Sequence, residues 1–114
     1  MTKYVFDFLE RGILGEWRPH PSCPGVQLAG VTHEADDTWR TVLVKVDPGK
    51  SLLPHAHEGE TEFHLVVSGS AAARRGNERL LYGPGEMHKI KCRQEHEVTA
   101  GDEGVVMVAL FLKE

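Results

Sequence analysis

The sequence predicts an all-β domain, and three observations support this prediction. Turn-forming glycine, proline, asparagine and aspartate residues recur at intervals of about 8–12 residues. The segments between these turns are short and apolar, and none shows the 3.6-residue period of a long helix. A chain of 114 residues has the length of one domain with one hydrophobic core. We therefore expect an antiparallel sandwich or barrel.

Residues 1–37 are expected to form an N-terminal arm and the first strands of a single domain that spans residues 1–114. The segment Trp17–Gly25 contains three prolines, which exclude a helix and restrict any strand there to a sheet edge. Val26–His33 is the first strand candidate. The first residues, Met1–Tyr4, are not a basic stretch followed by an apolar one, so no secretory signal is predicted.

Residues 38–112 are expected to form most of the barrel, beginning with the strand Thr38–Val46. In that strand Val42, Val44 and Val46 share one face, with Thr41 and Lys45 on the other, which predicts one buried face. Turns are predicted at 47–49, 68–70, 76–77, 83–85 and 101–104. The strands predicted between them are Glu62–Val67, Ala71–Arg75, Arg79–Tyr82, Met87–Lys91, His96–Ala100 and Val105–Leu112.

Composition excludes several classes of function. The formal net charge is −4 and the densest basic spot is only Arg74-Arg75, so neither a nucleic acid nor an anionic membrane is an expected partner. The longest apolar run, Val105–Leu112, is too short for a transmembrane helix. Two cysteines, Cys23 and Cys92, lack metal-binding or disulfide-scaffold spacing, and we expect reduced thiols in a cytoplasmic protein.

The chemistry of the chain is concentrated in a histidine-rich segment. His55 and His57 are alternate residues, so in a strand they would share a face roughly 6.6 Å apart, at ~3.3 Å per residue. Glu62 opens the next strand candidate, on the same face as His64, and a hairpin between the two strands would bring this carboxylate to the histidines. Imidazole and carboxylate ligands together suit a divalent transition metal.

This segment resembles the first sequence motif of the cupin family. It is written G-x5-H-x-H-x4-E-x6-G, and Gly49, His55, His57, Glu62 and Gly69 occupy every fixed position.

The second cupin motif, G-x5-P-x-G-x2-H-x3-N, is only partly present. From Gly85 its spacing reaches His96, which corresponds to the fourth metal ligand of the family. Lys91 stands in place of the proline, Arg93 in place of the glycine and Ala100 in place of the asparagine.

The resemblance implies a cupin double-stranded β-helix, which is a jelly-roll barrel. It also implies one divalent transition metal, Mn, Fe, Ni, Cu or Zn, held inside the barrel. The implied ligands are His55, His57, Glu62 and His96.

Three assignments remain open at this stage. His88 is expected to point inward from its strand, so it competes with His96 as the fourth ligand. His64 and His88 are candidate catalytic residues that would move protons, with a metal-orienting or packing role as the alternative for each. Glu60 shares the strand face of Glu62 but lies too close to the histidine pair for the family spacing.

Two classes of function fit these features. The first is a metal-dependent enzyme, of dioxygenase, isomerase or lyase type, acting on a small polar metabolite such as a sugar derivative or an oxygen-rich acid. The second is a non-catalytic module that binds or senses a metal or a sugar. Trp17, Trp39 and Phe63 would be pocket walls or packing anchors. A homodimer is expected because the arm Trp17–Pro24 has no obvious core position in a minimal barrel.

Overall fold

Every regular element that the structure describes is a β-strand. The structure is a computed structural model, and it describes residues 17–30 and 38–114. Its strands are β1 (Arg18–Pro19), β2 (Val26–Gly30), β3 (Trp39–Val46), β4 (Ser51–His55), β5 (Glu60–Arg75), β6 (Glu78–Tyr82), β7 (Met87–Ile90) and β8 (His96–Lys113). Within these two ranges there is no helix that could span a membrane. The all-β prediction is confirmed.

The long strands β5 and β8 organise the fold by pairing with each other in two places. The first half of β5 pairs with the second half of β8, and this pair is extended by β3, β2 and β1 on one side and by β7 on the other. The second half of β5 pairs with the first half of β8, flanked by β6 and β4. All pairs are antiparallel, and residues from both layers form one core cluster between them.

Both long strands continue through positions at which the sequence predicted a break. Turns were expected at residues 68–70 and 101–104, but β5 and β8 bend there without ending. The pairing register of β5 shifts on either side of Ser68 and Gly69. Gly69 and Gly104 have positive φ values of 76° and 75°, which glycine adopts at no steric cost. These bends let one strand pass from the first layer to the second.

The N-terminal part of the barrel can be compared with the predictions for the proline-rich segment and for the strand from Val26. β1 contains Pro19 and lies at the edge of the sheet, as expected for a strand with a proline. The predicted strand from Val26 is observed as far as Gly30, and its remainder lies outside the described residues. Cys23 is buried in the core cluster, so the expectation that Trp17–Pro24 has no core position is wrong.

Candidate metal centre

Four side chains converge inside the barrel near one end. They are His55, His57, Glu62 and His96, and one potential ligand atom from each lies within 4.8 Å of the others. His55 is the last residue of β4, Glu62 lies on β5, and His96 is the first residue of β8. The structure therefore brings together the four residues that the resemblance implied, with His96 rather than His88 as the fourth member.

The strands do not meet in the way that the sequence suggested. We expected a hairpin between the strand of the two histidines and the strand of Glu62, and this expectation is wrong. β4 pairs with β8, where His55 lies opposite His96, and their ring centroids are 4.1 Å apart. Glu62 is paired instead with Phe111 of β8. The carboxylate thus approaches the histidines across the interior, because the two layers face each other there.

His57 lies just beyond β4 and is held by a different segment. Pro54 offers no N–H to the sheet, the β4 register shifts before His55, and the strand ends there. The backbone N–H of Arg93 donates a hydrogen bond to the carbonyl of His57 over 2.8 Å. The backbone of Gly59 is tied to the same segment by its N–H, which donates to Cys92 Sγ at 3.2 Å. The loop before β8 therefore positions His57 from outside the strand.

Backbone carbonyls fix the tautomers of two of the histidines. His55 Nδ1 lies 2.8 Å from the carbonyl oxygen of Leu53, and His96 Nδ1 lies 3.1 Å from that of Gln94. Because a carbonyl oxygen only accepts, both Nδ1 atoms must carry the proton. Each Nε2 then keeps its lone pair, which is the arrangement in which a neutral imidazole binds a metal.

Three atoms at the centre of the cluster lack hydrogen-bond partners. Glu62 Oε1 lies 3.1 Å from His96 Nε2 and 3.2 Å from His57 Nε2, yet among the described residues none of the three makes a well-aligned hydrogen bond. Buried polar atoms are nearly always hydrogen-bonded, so this convergence requires another partner. A divalent cation accepts lone pairs from all three, and the donor set therefore fits a metal ion.

The electrostatics of the cluster favour an ionised carboxylate. Burial alone would raise the pKa of Glu62, but the surrounding imidazoles of His57, His64 and His96 outweigh it and hold this pKa well below its usual range. The Glu62 carboxylate raises the pKa of His57, whereas burial lowers the pKa of His55. A carboxylate that stays charged in a buried site is a suitable ligand for a cation.

The two candidate catalytic histidines lie behind the cluster rather than in it. His64 is fully buried, with Nε2 at 2.8 Å from Glu62 Oε2 and Nδ1 at 3.1 Å from the Tyr82 hydroxyl. His88 stacks on the Tyr82 ring with centroids 4.2 Å apart, and its Nε2 lies 3.4 Å from Glu86 Oε1. This placement favours an orienting role for His64. Tyr82 was not among the predicted site residues, because nothing in the pattern of its own strand links it to His64.

A cavity of about 160 Å³ opens onto the cluster. Its polar lining comes from His20, Arg40, His55, His57 and Glu62, and its apolar lining from Leu28, Val42, Val44, Leu52 and Phe111. None of Trp17, Trp39, Phe63, His64 and His88 lines it. The three aromatic residues that were considered as pocket walls are thus placed elsewhere.

The comparisons with known proteins agree with this geometry. A model of the cupin domain matches residues 42–111, which is more than half of the chain. The chain belongs to the cupin family. No curated protein sequence matches it significantly.

Solved structures of other cupin-like chains share the fold. KdgF from Halomonas sp. is 25% identical, with a TM-score of 0.77 over 87% of this chain and 86% of that one. A predicted oxalate decarboxylase from Thermotoga maritima is 20% identical, with a TM-score of 0.78 over 90% and 96% of the two chains. The Cnp3 cupin domain of Schizosaccharomyces pombe reaches a TM-score of 0.77 at only 7% identity, over 87% and 69%.

The incomplete second motif of this cupin still forms its turn. Arg93 takes a left-handed conformation, with φ at 64°, where the motif has a glycine. The N–H of Gln94 closes the turn by donating to the carbonyl of Lys91 over 3.1 Å. The loop therefore delivers His96 to the cluster although an L-residue occupies a strained position.

A larger depression lies on the outside of this cupin, away from the cluster. It has a volume of about 380 Å³ and is lined mainly by residues of β5, β6 and β8, among them Ala72, Arg79 and Leu81. Another lining residue, Arg74, is already paired with Glu95 at 3.0 Å. Three of the four clustered side chains, His55, His57 and Glu62, line the smaller cavity instead.

Proposed function

We propose that this cupin is a metal-dependent enzyme that acts on a small, oxygen-rich metabolite. The observation that carries the proposal is the cavity that opens directly onto His55, His57 and Glu62. A structural metal usually has a closed shell of protein ligands, whereas a catalytic one keeps a position open to a ligand. An ion on these residues would face the cavity, where a substrate can approach it.

The proposed cofactor is one divalent transition metal. Three imidazoles and one carboxylate form a donor set that suits Mn, Fe, Ni, Cu or Zn, and a six-coordinate ion bound by all four would keep two positions for water or substrate. When bound, such an ion acts as a Lewis acid that stabilises negative charge developing on substrate oxygens. Around this position the cavity has an apolar wall formed by Leu28, Val42, Val44, Leu52 and Phe111.

A cation at the rim favours an acid over a neutral sugar as the substrate. The Arg40 guanidinium lies 3.9 Å above the centroid of the Phe111 ring, and this ring packs against that of His57 with 5.2 Å between centroids. Glu60 holds Arg40 through Nε and Nη2, at 3.3 and 3.1 Å. These two hydrogen bonds do not use the Nη1 group of Arg40, which can therefore pair with a carboxylate in the cavity.

The cavity also limits the size of the ligand. A volume of about 160 Å³ corresponds to roughly five water molecules at about 30 Å³ each. This accommodates a small acid, or the reacting end of a larger sugar acid that extends through the opening. The likeness to a predicted oxalate decarboxylase, at 20% identity, supports the fold and does not identify the acid.

A non-catalytic binding module is the second candidate, and one observation favours it. Neither His64 nor His88 lines the cavity, so neither contacts a ligand there to transfer a proton. His20 is the remaining histidine that lines the cavity without belonging to the cluster. If His20 does not serve as an acid or base, metal and cavity together would capture a ligand without converting it.

One experiment separates the two candidates. The apo-protein is loaded separately with each of the five metals and offered matched acids and neutral analogues, such as galacturonate and galactose, with and without dioxygen. The enzyme proposal expects turnover of an acid that is abolished in His55→Ala while the fold survives. Binding that raises the melting temperature, with no turnover in any metal form, would favour the binding module.

A matched variant tests the role of Arg40. Arg40→Gln should retain the metal but lose the preference for the acid over its neutral analogue. An unchanged preference would contradict the assignment of an acidic substrate and would leave the metal site unaffected.

A further inference from the structure

We propose that Tyr82 is a positioning residue for the metal centre: acting through His64, it holds Glu62 so that a single carboxylate oxygen, Oε1, faces the metal. This inference rests on the proposed metal site, and it assigns a role to His64 and Tyr82, two buried hydrogen-bonded residues that do not line the cavity.

The direction of each hydrogen bond between Tyr82, His64 and Glu62 follows from the chemistry of these groups. The ionised Glu62 carboxylate only accepts, so His64 Nε2 donates to Oε2 across 2.8 Å. The Tyr82 hydroxyl lies 3.1 Å from His64 Nδ1, and it donates to that nitrogen in the tautomer whose ring proton is on Nε2. Tyr82 thereby selects the His64 tautomer that donates to Glu62.

Burial makes the hydrogen bonds between Tyr82, His64 and Glu62 difficult to replace. His64 is fully buried, Tyr82 is 2% exposed and Glu62 is 3% exposed, so water cannot easily replace a missing partner. Burial and the nearby Glu62 charge raise the pKa of Tyr82, which therefore remains protonated as a donor. With Oε2 engaged by His64, Oε1 is the oxygen without a hydrogen bond, and it lies between His57 and His96.

The surroundings also hold the Tyr82 ring in place. It lies on β6 opposite Ala71, and the His88 ring stacks on it with an interplanar angle of 3°. The ring edge faces His64, with centroids 5.8 Å apart and planes at 70°. Since the ring is packed in this way, its hydroxyl is directed at Nδ1 before any metal binds.

The test is Tyr82→Phe, which keeps the packed ring and removes only the hydroxyl. Copper(II) and zinc(II) are the probes, measured by chelator competition for affinity, by electron paramagnetic resonance for the copper site, and by X-ray absorption for the zinc site. Loss of a hydrogen bond that orients a metal ligand typically weakens metal binding about 10–100-fold. We expect a loss in this range, one ion still bound per chain, and altered copper spectra because Glu62 is free to rotate or to bind through both oxygens.

Further variants separate the loss of the hydrogen bond from a general loss of stability. Val46→Ala removes buried core atoms and none of the hydrogen-bonding groups of Tyr82, His64 and Glu62, so it should lower stability while leaving metal affinity and spectra unchanged. If Tyr82→Phe does not fold, His64→Gln and His64→Leu replace it. The glutamine amide can donate to Glu62 without a tyrosine, so His64→Gln should bind metal more tightly than His64→Leu.

Each contrary outcome has a separate meaning. Wild-type affinity and spectra in Tyr82→Phe, or equal affinities in the two His64 variants, would overturn the positioning role while the metal site stands. Failure of the wild-type protein to bind either metal would overturn the metal site and this inference together.

Discussion

The close approach of β5 and β8 at their bends should make Gly69 far less tolerant of substitution than Gly49. Both are glycines of the first cupin motif, and both have positive φ values, 76° and 71°. A Cβ atom at Gly69 would collide with the backbone carbonyl of Gly104, whereas a Cβ at Gly49 would meet no atom within 4 Å. The two alanine variants therefore share the conformational penalty and differ in the steric one.

The magnitudes follow from these two contributions. A left-handed conformation costs an L-residue roughly 1–2 kcal/mol, offset by about 0.4–1 kcal/mol from the reduced entropy of the unfolded chain. Gly49→Ala should therefore lose about 1 kcal/mol of stability. Overpacking of this kind typically adds about 1–3 kcal/mol, so we expect Gly69→Ala to lose about 3 kcal/mol. Because the colliding atoms belong to two paired backbones, neither can move without disturbing the sheet.

Urea and thermal unfolding of the two variants measure this difference. At about 4 °C per kcal/mol for a domain of this size, the melting temperature should fall by roughly 4 °C in Gly49→Ala and roughly 12 °C in Gly69→Ala. Equal losses in the two variants would refute the reasoning, since they would show that the bend leaves room for a side chain.

Three further predictions concern the loop, the thiols and the assembly. Arg93→Gly should stabilise the protein by about 0.5–1 kcal/mol in urea unfolding. The change removes the strain of a left-handed arginine, and this gain is partly offset by the greater entropy of glycine in the unfolded chain. A destabilised variant would contradict this prediction. Cys23 and Cys92 are free in the structure, and mass spectrometry should count two thiols per chain with and without reductant, whereas a native protein with none would refute it. We still propose a homodimer, now only because closed two-fold pairs are the commonest assembly of soluble proteins. Light scattering at micromolar concentration should then give about twice 12.7 kDa, and a clean monomer would reject that proposal.

The sequence predicted the strands and the four clustered side chains because both depend on local patterns. The alternation around Val44 and Val46 identified the buried face of β3, and both residues are in the core. The fixed spacing of the first motif selected His55, His57 and Glu62. The position of Gly85 indicated His96 but left His88 as an alternative, and the structure places His96 in the cluster.

What the sequence could not predict depends on contacts between distant parts of the chain. Alternation shows which face of β4 is buried but not that β4 pairs with β8, so the expected hairpin was wrong. Tyr82 and His64 are 18 residues apart on strands that pair elsewhere along their lengths, and only the closed barrel brings the hydroxyl to the imidazole. In the sequence, Gly69 and Gly104 indicated turns because glycine is common where strands end. In the structure they have positive φ values but lie at bends within continuous strands.

The metal content of the purified protein tests the central claim most directly. Protein prepared without a histidine tag is analysed for metals, beside His57→Ala and the pair His96→Ala and His88→Ala. We predict one divalent ion per chain in the wild-type protein, most of it lost in His57→Ala and His96→Ala, and retained in His88→Ala. Full occupancy in His57→Ala, or loss in His88→Ala with retention in His96→Ala, would contradict the assigned site.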